Sequence, residues 1–131
     1  MIVVDASAVL ELLLRTEKGK NVEARLLVPA ESLHAPHLVD VEVTQALRRL
    51  VQLKEITTER GKQALNDHAA LNIKRAAHEE MLERLWQLRD SVTAYDATYV
   101  ALAEALEAPL ITCDARLARS HGHRAIIELI E

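Results

Sequence analysis

Short apolar runs alternate with stretches of helical periodicity along the whole chain, and this alternation constrains the fold more than any other feature. Strands separated by helices are typical of an open parallel sheet with helices on both of its faces. The apolar runs predict strands at 2–4, 32–35, 72–76, 108–112 and 124–129. The intervening segments predict helices at 6–15, 18–28, 37–53, 58–71, 79–90, 93–106 and 115–120. Without repeats or a linker, the chain is expected to form a single α/β domain over residues 1–131.

Capping residues and apolar stripes define the expected helix ends and buried faces. Ser7 is the expected N-cap of the first helix, and Pro36 is the expected first residue of the third. Thr93 is the expected N-cap of the sixth helix. The buried stripe of the sixth helix is predicted to contain Tyr95, Tyr99, Leu102, Ala103 and Leu106. The apolar side of the fifth helix is predicted to contain Met81, Leu82, Leu85, Trp86 and Leu88.

Composition narrows the function in two ways. Half of the residues are hydrophobic, but the only Trp and Tyr residues are Trp86, Tyr95 and Tyr99 and there is no Phe, so the expected core is aliphatic. The chain therefore lacks the aromatic platform on which proteins stack single-stranded bases. The net charge of −4 argues against a general nucleic-acid binder, which usually carries a basic excess. An enzyme that approaches phosphates through a metal ion is compatible with this charge.

The sequence gives no support for a disulfide, a membrane or secreted location, a zinc site or a nucleotide-binding loop. Cys113 is the only cysteine, so no intramolecular disulfide can form, as is typical of a reducing cytosol. Neither a signal peptide nor a transmembrane span is expected, and the expected location is cytoplasmic. The six histidines lack the spacing of zinc ligands. No P-loop and no G-x-G-x-x-G segment is present to bind a nucleotide.

Acidic residues stand where an open parallel sheet places its ligands, beyond the carboxyl ends of the strands. Asp5 follows the first strand and Asp114 follows the fourth. Asp96 lies in the first turn of the sixth helix, on or near its buried side. In the third helix, Asp40 and Glu42 both lie near the apolar arc, and periodicity does not choose between them.

Each of these acids alone also suits an ordinary structural role, as a helix cap, a turn residue or a surface side chain. Together they indicate a metal site, because several desolvated carboxylates in one cleft repel each other and a divalent cation removes that repulsion. Oxygen ligands without a matching set of Cys and His favour Mg²⁺, with Mn²⁺ as the expected substitute.

Four segments, in chain order, resemble the PIN-domain nucleases, and most closely the VapC toxins of bacterial and archaeal toxin–antitoxin pairs. They are MIVVDASAVLELL, PHLVDVEVTQALRRL, TAYDATYVALAEAL and PLITCDARLA, and the resemblance runs from residue 1 to about residue 118. It implies a PIN-like three-layer α/β/α sandwich whose five-stranded parallel sheet has the order 3-2-1-4-5. It also implies a catalytic set, which selects Glu42 over Asp40 and consists of Asp5, Glu42, Asp96 and Asp114.

The resemblance further implies a Mg²⁺-dependent endoribonuclease that hydrolyses RNA phosphodiester bonds. The predicted metal ligands are Asp5 and Asp96, which would bind directly, and Asp114, which would bind directly or through water. Glu42 would ligate the metal or orient the attacking water. Ser7 and Thr112 match small hydroxyl positions that support the acids in the family.

At one point the chain departs from the family pattern. Many members carry another Asp or Asn two or three residues after the last acid, where this chain has Arg116 and Leu117. This difference removes support for a second fully ligated metal and makes Arg116 a candidate phosphate contact. Other basic residues near the expected site, which are candidates for the same role, are Arg15, Lys18 and Arg119.

The resemblance also implies partners. RNA is the expected substrate, and a VapB-type antitoxin would lay its carboxyl-terminal segment over the groove with a basic side chain among the acids. A homodimer is expected, with the Leu-rich helices at 7–14 and 79–90 as candidate interfaces. No association with a membrane is expected.

Two other functions fit parts of the sequence. A haloacid-dehalogenase-like phosphatase also places an Asp after its first strand, but it needs a second acid two residues later, where Ser7 stands. A PIN-like binding module without catalysis is typical of chains whose acids have been lost, and here all four are present. The sequence therefore favours the nuclease over both alternatives.

Overall fold

Five parallel strands form the centre of the protein. The computed structural model describes all residues, 1–131. The strands are β1 (Ile2–Val4), β2 (Leu33–Pro36), β3 (Ile73–Ala76), β4 (Leu110–Thr112) and β5 (Ile127–Leu129). Their order, β3-β2-β1-β4-β5 with every neighbouring pair parallel, confirms the order that the resemblance implied. The chain leaves β1 towards β2 on one side and returns to β4 on the other, so the strand order reverses beside β1.

Seven α-helices connect the strands. They are α1 (Ala6–Leu14), α2 (Glu17–Leu26), α3 (Leu38–Gln52), α4 (Thr58–Ala70), α5 (Leu82–Gln87), α6 (Ala94–Leu106) and α7 (Ala115–Ala118). The predicted helices agree with these bounds to within a few residues, except at 79–90. There a 3₁₀ turn at Glu79–Met81 precedes the short α5, and the chain turns at Leu88 instead of continuing the helix. None of the helices has the length and hydropathy that a membrane-spanning segment needs.

Both faces of the sheet are covered, as the burial of β1 demonstrates. Successive strand residues point to opposite faces, and Ile2, Val3 and Val4 are all fully buried. The core around them is aliphatic, as predicted, and Tyr99 is its only aromatic side chain. Helices on two sides of one sheet form the three-layer α/β/α sandwich that the resemblance implied.

Two predicted buried faces are wrong in part. Tyr95 is exposed because it lies in the first turn of α6, whereas the buried part of that helix begins at Ala97. Leu82 and Trp86 are exposed because the six-residue α5 packs against the core only along a narrow strip that includes Leu85. Apolar side chains therefore remain on the surface where the sequence pattern predicted core.

Two predicted helix starts also differ from the structure. Asp5, rather than Ser7, is the N-cap of α1, because its Oδ1 accepts the backbone N–H of Ala8 at 3.0 Å. Pro36 is the last residue of β2 and not the first residue of α3, because the pairing of β2 with β3 extends through Pro36 and Ala76. The first acid of the chain thus both ends a strand and begins a helix.

Gly19 allows α1 and α2 to pack closely. A Cβ atom at this position would overlap the backbone carbonyl of Glu11, which cannot move aside as a side chain can. We expect Gly19→Ala to lower the free energy of unfolding by about 2–3 kcal/mol in a denaturant titration. Gly61→Ala is the matched control, because its Cβ would meet side-chain atoms and no backbone, with Val51 Cγ2 at 3.0 Å and Ile56 Cδ1 at 3.7 Å. Equal stability of the two variants would contradict this explanation of the α1–α2 contact.

Candidate active site

Asp5 is held at the carboxyl end of β1 by three hydrogen bonds. The Ser7 hydroxyl donates to Oδ1 at 2.7 Å, the Thr112 hydroxyl donates to Oδ2 at 2.6 Å, and the Ala8 N–H donates to Oδ1 at 3.0 Å. Only 5% of Asp5 is exposed. The carboxylate therefore has one fixed orientation, and the two hydroxyls that the resemblance pointed to are the ones that contact it.

Burial dominates the protonation of Asp5. It raises the pKa of this carboxyl to about 6, although the hydrogen bonds from Thr112 and Ser7 act in the opposite direction. The negative charge of Asp96 also raises the pKa. Asp5 therefore titrates near neutral pH, and a cation nearby would favour its ionised form.

Asp114 lies at the end of the neighbouring strand, β4, and begins α7. Its Oδ1 accepts the N–H groups of Arg116 at 2.9 Å and Leu117 at 3.4 Å, which makes it the N-cap of that helix. Its own N–H donates to the Thr112 hydroxyl at 3.0 Å. Because the same hydroxyl donates to Asp5, Thr112 connects the two strand-end acids.

Asp96 lies in the first turn of α6 and is half-buried. The Thr93 hydroxyl accepts its N–H at 3.1 Å, so Thr93 is the N-cap that the sequence predicted. Burial raises the pKa of the Asp96 carboxyl, the negative charge of Asp114 raises it further, and Arg116 opposes both effects. Asp96 lines the same cavity as Arg116, two residues after Asp114, so the first turn of α6 lies beside the strand-end acids.

Glu42 extends from α3 towards the same edge. The Tyr99 hydroxyl donates to its Oε1 at 2.6 Å. Burial raises the pKa of Glu42, the hydrogen bond from Tyr99 lowers it, and the negative charge of Asp96 raises it. Because Tyr99 lies on α6, this hydrogen bond brings Glu42 to the helix that carries Asp96.

Asp40, the alternative that the sequence pattern left open, has different partners. Arg75 on β3 donates to both of its oxygens at 2.8 Å, and Nε2 of His68 on α4 lies 2.7 Å from Oδ1. The hydrogen bonds from Arg75 hold the pKa of Asp40 below its usual range. Asp40 thus joins α3 to α4 and β3, and it stabilises the position of the helix that carries Glu42.

Tyr99 is the residue at this edge that sequence reasoning missed. The sequence correctly predicts its burial in α6 but assigns it no contact with the acids. The available signal was chemical, because a buried tyrosine hydroxyl needs a hydrogen-bond partner. Tyr99 follows Asp96 by about one helical turn, so that partner was to be expected near the acids.

The donor set of the four acids fits a hard divalent cation. Each of the four side chains supplies carboxylate oxygens. Burial and mutual repulsion raise the pKa values of Asp5, Glu42 and Asp96, and a bound cation would offset both effects by stabilising the ionised carboxylates. In the structure, no three Asp, Glu, His or Cys side chains converge closely enough to form a complete metal cluster. Metal ligation by Asp5, Asp96 and Asp114 therefore stays a prediction.

A cavity of about 390 Å³ opens beside Asp96. The side chains around it include Arg89, Thr93 and Arg116. The Arg116 side chain is 77% exposed, and its Nη2 lies 3.8 Å from Oδ2 of Asp114. A guanidinium so weakly held can turn towards a ligand in the cavity.

Other side chains near the site contribute less to its geometry. Arg15 and Arg119 are exposed, and Lys18 is half-buried. Burial raises the pKa of Cys113 to about 11, so its thiol stays protonated at neutral pH and is a poor nucleophile. The chemistry of this edge therefore depends on the carboxylates.

The sequence profile of the PIN domain matches residues 2–121. The chain belongs to the PIN-domain family. Within the family it is similar to Ribonuclease VapC12 of Mycobacterium tuberculosis, with 46% identity over 130 residues that cover 99% of both chains. Ribonuclease VapC9 of the same organism is 47% identical over 117 residues, which cover 89% of this chain and 88% of the relative. These relatives place the chain in the VapC group of PIN domains.

Solved structures share the fold over nearly the whole chain. PAE2754 from Pyrobaculum aerophilum, 25% identical, superposes with a TM-score of 0.69 over 96% of this chain and 82% of that one. VapBC2 from Rickettsia felis, bound to a DNA fragment from its promoter, gives a TM-score of 0.72 at 15% identity over 100% of both chains. VapC20 of Mycobacterium tuberculosis, a sarcin–ricin loop cleaving toxin, gives 0.71 at 13% identity over 96% and 98% of the two chains. The last two establish a shared fold only.

Proposed function

We propose that the protein is a Mg²⁺-dependent endoribonuclease and the toxin component of a VapBC-type toxin–antitoxin system. The observation that carries the proposal is that Asp5 and Asp114 share the Thr112 hydroxyl at neighbouring strand ends, while α6 carries Asp96 and, through Tyr99, holds Glu42. Relatives that share nearly half of its residues over almost their whole length bear the name ribonuclease. An acidic edge of this kind approaches RNA phosphates through a divalent cation.

The side chains at this edge have distinct proposed roles. Asp5, Asp96 and Asp114 would hold the Mg²⁺ ion, with Mn²⁺ as a substitute. When bound, the ion would supply an activated water and stabilise charge on the scissile phosphate. Glu42 would help to orient the attacking water. Ser7 and Thr112 support the first of these ligands, because their hydroxyls keep its carboxylate in one orientation.

Incubation of the purified protein with RNA in Mg²⁺, Mn²⁺ or EDTA tests the proposal. We expect internal cleavage with either metal, none in EDTA, and recovery when Mg²⁺ is restored. Calorimetry should detect Mg²⁺ binding to the same preparation. Cleavage that continues unchanged in EDTA would contradict metal dependence. Absence of both metal binding and cleavage would favour a PIN-like binding module without catalysis.

Arg116 is proposed to contact a substrate phosphate from the rim of the site, which its exposure and proximity to Asp114 support. Affinity for a non-cleavable 2′-O-methyl RNA can be measured by fluorescence anisotropy over a range of salt concentrations. We expect Arg116→Gln to weaken binding about tenfold and to reduce the slope of log Kd against log salt by about 0.7. The control, Arg49→Gln, removes an exposed charge from the last turn of α3 and should leave the slope unchanged. Equal effects of both variants would contradict a specific contact by Arg116.

We also propose a VapB-type antitoxin as the partner and a homodimer as the free form. The structural neighbour VapBC2 supports such a pair, as its name joins the two components. Expression of this chain alone is expected to arrest growth, and co-expression with its antitoxin to restore growth and yield a co-purified complex. Light scattering of the free protein should give twice the monomer mass. An RNA substrate and a partner of this kind imply the cytoplasm as the location.

A further inference from the structure

Tyr99 is buried in the core, yet its hydroxyl reaches the candidate active site. The side chain is 1% exposed, and its hydroxyl donates a hydrogen bond of 2.6 Å to Glu42 Oε1. We propose that Tyr99 is a positioning residue that fixes the orientation of the Glu42 carboxylate for RNA cleavage. This inference rests on the proposed nuclease function and adds to it a residue that is not one of the four acids.

The contact joins two helices that are far apart in the sequence. Tyr99 lies on α6, which also carries Asp96, and Glu42 lies on α3. The two residues of the hydrogen bond are 57 positions apart in the chain. Because the bond links α3 to α6, it fixes the position of Glu42 relative to the helix that carries Asp96. A glutamate side chain has several rotatable bonds and loses much of its freedom only when its end is held.

The hydrogen bond from Tyr99 holds one oxygen of the Glu42 carboxylate and leaves the other oxygen free. An O–H group that donates to a carboxylate forms a short, charge-assisted hydrogen bond, and 2.6 Å is in that range. Tyr99 uses only Oε1, and Oε2 of Glu42 accepts no hydrogen bond within the protein. One oxygen of Glu42 is thus anchored, and the other stays available for a water or a ligand.

The phenol is a permanent donor at this position. Burial, together with the hydrogen bond to Glu42 and the negative charges of Asp5 and Asp96, holds the pKa of Tyr99 well above its usual value. The group therefore keeps its proton and acts neither as a base nor as a nucleophile. Its contribution is to fix geometry, which for residues that orient a metal-site carboxylate is worth about 10–100-fold in activity or metal affinity.

Tyr99→Phe tests the proposal, because it keeps the buried ring and removes only the hydroxyl. We expect kcat for RNA cleavage to fall about 10–100-fold, with KM changed less than about twofold. The matched control is Thr98→Val, which removes a buried hydroxyl from the preceding position of the same helix. The Thr98 hydroxyl donates to the Ala94 carbonyl within α6 and contacts no acid, so kcat should not change.

A double-mutant cycle separates positioning from simple packing. In a Glu42→Ala background there is no carboxylate to orient, so adding Tyr99→Phe should not lower kcat further. If Tyr99→Phe leaves kcat unchanged, or lowers it equally in both backgrounds, the proposal is overturned. Should Tyr99→Phe not fold, 4-fluorophenylalanine at position 99 fills the space of the hydroxyl without donating a hydrogen bond and is expected to show the same loss. Failure of the wild-type protein to cleave RNA would instead overturn the nuclease function itself.

Discussion

Asp5→Asn is expected to abolish RNA cleavage and, at the same time, to stabilise the metal-free protein. The activity should fall at least about 100-fold, because the central carboxylate of the proposed metal site is lost. The asparagine side chain would keep an oxygen for the Ser7 hydroxyl and the Ala8 N–H, and its amide group could donate to the Thr112 hydroxyl. The fold should therefore tolerate the change.

The sign of the stability effect follows from the pKa of Asp5. Burial raises this pKa from 3.8 to about 6, so the folded state binds the proton more tightly than the unfolded state does. Ionised Asp5 therefore opposes folding above pH 6, by up to about 3 kcal/mol, and this cost disappears as the pH falls below 3.8. In EDTA at pH 7, Asp5→Asn should raise Tm by several degrees, and at pH 3.5 it should not.

Thermal unfolding with and without Mg²⁺ completes this experiment. Mg²⁺ should raise Tm of the wild type and leave Tm of Asp5→Asn unchanged, because only the wild type has the full ligand set. Asp67→Asn, on α4 and without side-chain hydrogen bonds or ion pairs, is the control and should change neither activity nor Tm. A variant at Asp5 that cleaves RNA normally, or that melts at a lower temperature than the wild type in EDTA at pH 7, would contradict the prediction.

Arg84→Met is expected to lower the free energy of unfolding substantially, because it breaks a buried ion pair that has no part in the proposed catalysis. The Glu104 side chain is only 2% exposed and accepts hydrogen bonds from Arg84 Nε at 2.8 Å and Nη2 at 2.9 Å. A third bond comes from the Arg124 N–H at 3.0 Å. Removal of Arg84 leaves a buried carboxylate with one of these donors, at an expected cost of about 2–4 kcal/mol.

The same ion pair predicts a pH dependence. The hydrogen bonds from Arg84 lower the pKa of Glu104 from 4.5 to about 2, so the folded state favours the ionised form. The resulting stabilisation is complete above pH 4.5 and is lost as the pH falls towards 2. Arg84→Met should flatten this part of the stability curve, measured by urea unfolding between pH 2 and pH 5.

A second Arg–Glu pair provides the control. Arg25 donates to Glu128 at 2.7 Å, in similar geometry, but both side chains are about one-third exposed. Arg25→Met should therefore cost less than about 1 kcal/mol, as is usual for exposed ion pairs. Equal losses from the two substitutions would mean that burial of Glu104 is not the cause.

The sequence identifies strand-end acids more readily than helix acids. Asp5 and Asp114 directly follow buried apolar strands, and parallel strands place their carboxyl ends at one edge. The choice between Asp40 and Glu42 depends on partners that periodicity cannot reveal. Arg75, which pairs with Asp40, is 35 residues away in the chain, and Tyr99, which pairs with Glu42, is 57 away.

The buried surface is predicted well for the sheet and less well for α5 and α6. Strand β1 is apolar throughout because both of its faces are covered. In α5, Leu82 and Trp86 have the spacing of a core stripe but lie on the surface. The spacing of apolar residues indicates which side chains share a helix face. How much of that face is buried depends on the tertiary structure. Tyr95 is exposed for the same reason, since its turn of α6 precedes the packed part of the helix.

The dual position of Asp5, as strand end and helix cap, has an electrostatic consequence. Asp5 caps α1, and Asp96 lies in the first turn of α6, so both acids stand at the amino-terminal end of a helix. The aligned peptide dipoles give each such end the equivalent of about half a positive charge. Two helices thus direct positive potential at a cluster of negative side chains. The backbone itself offsets part of the repulsion among the acids, independently of any bound ion.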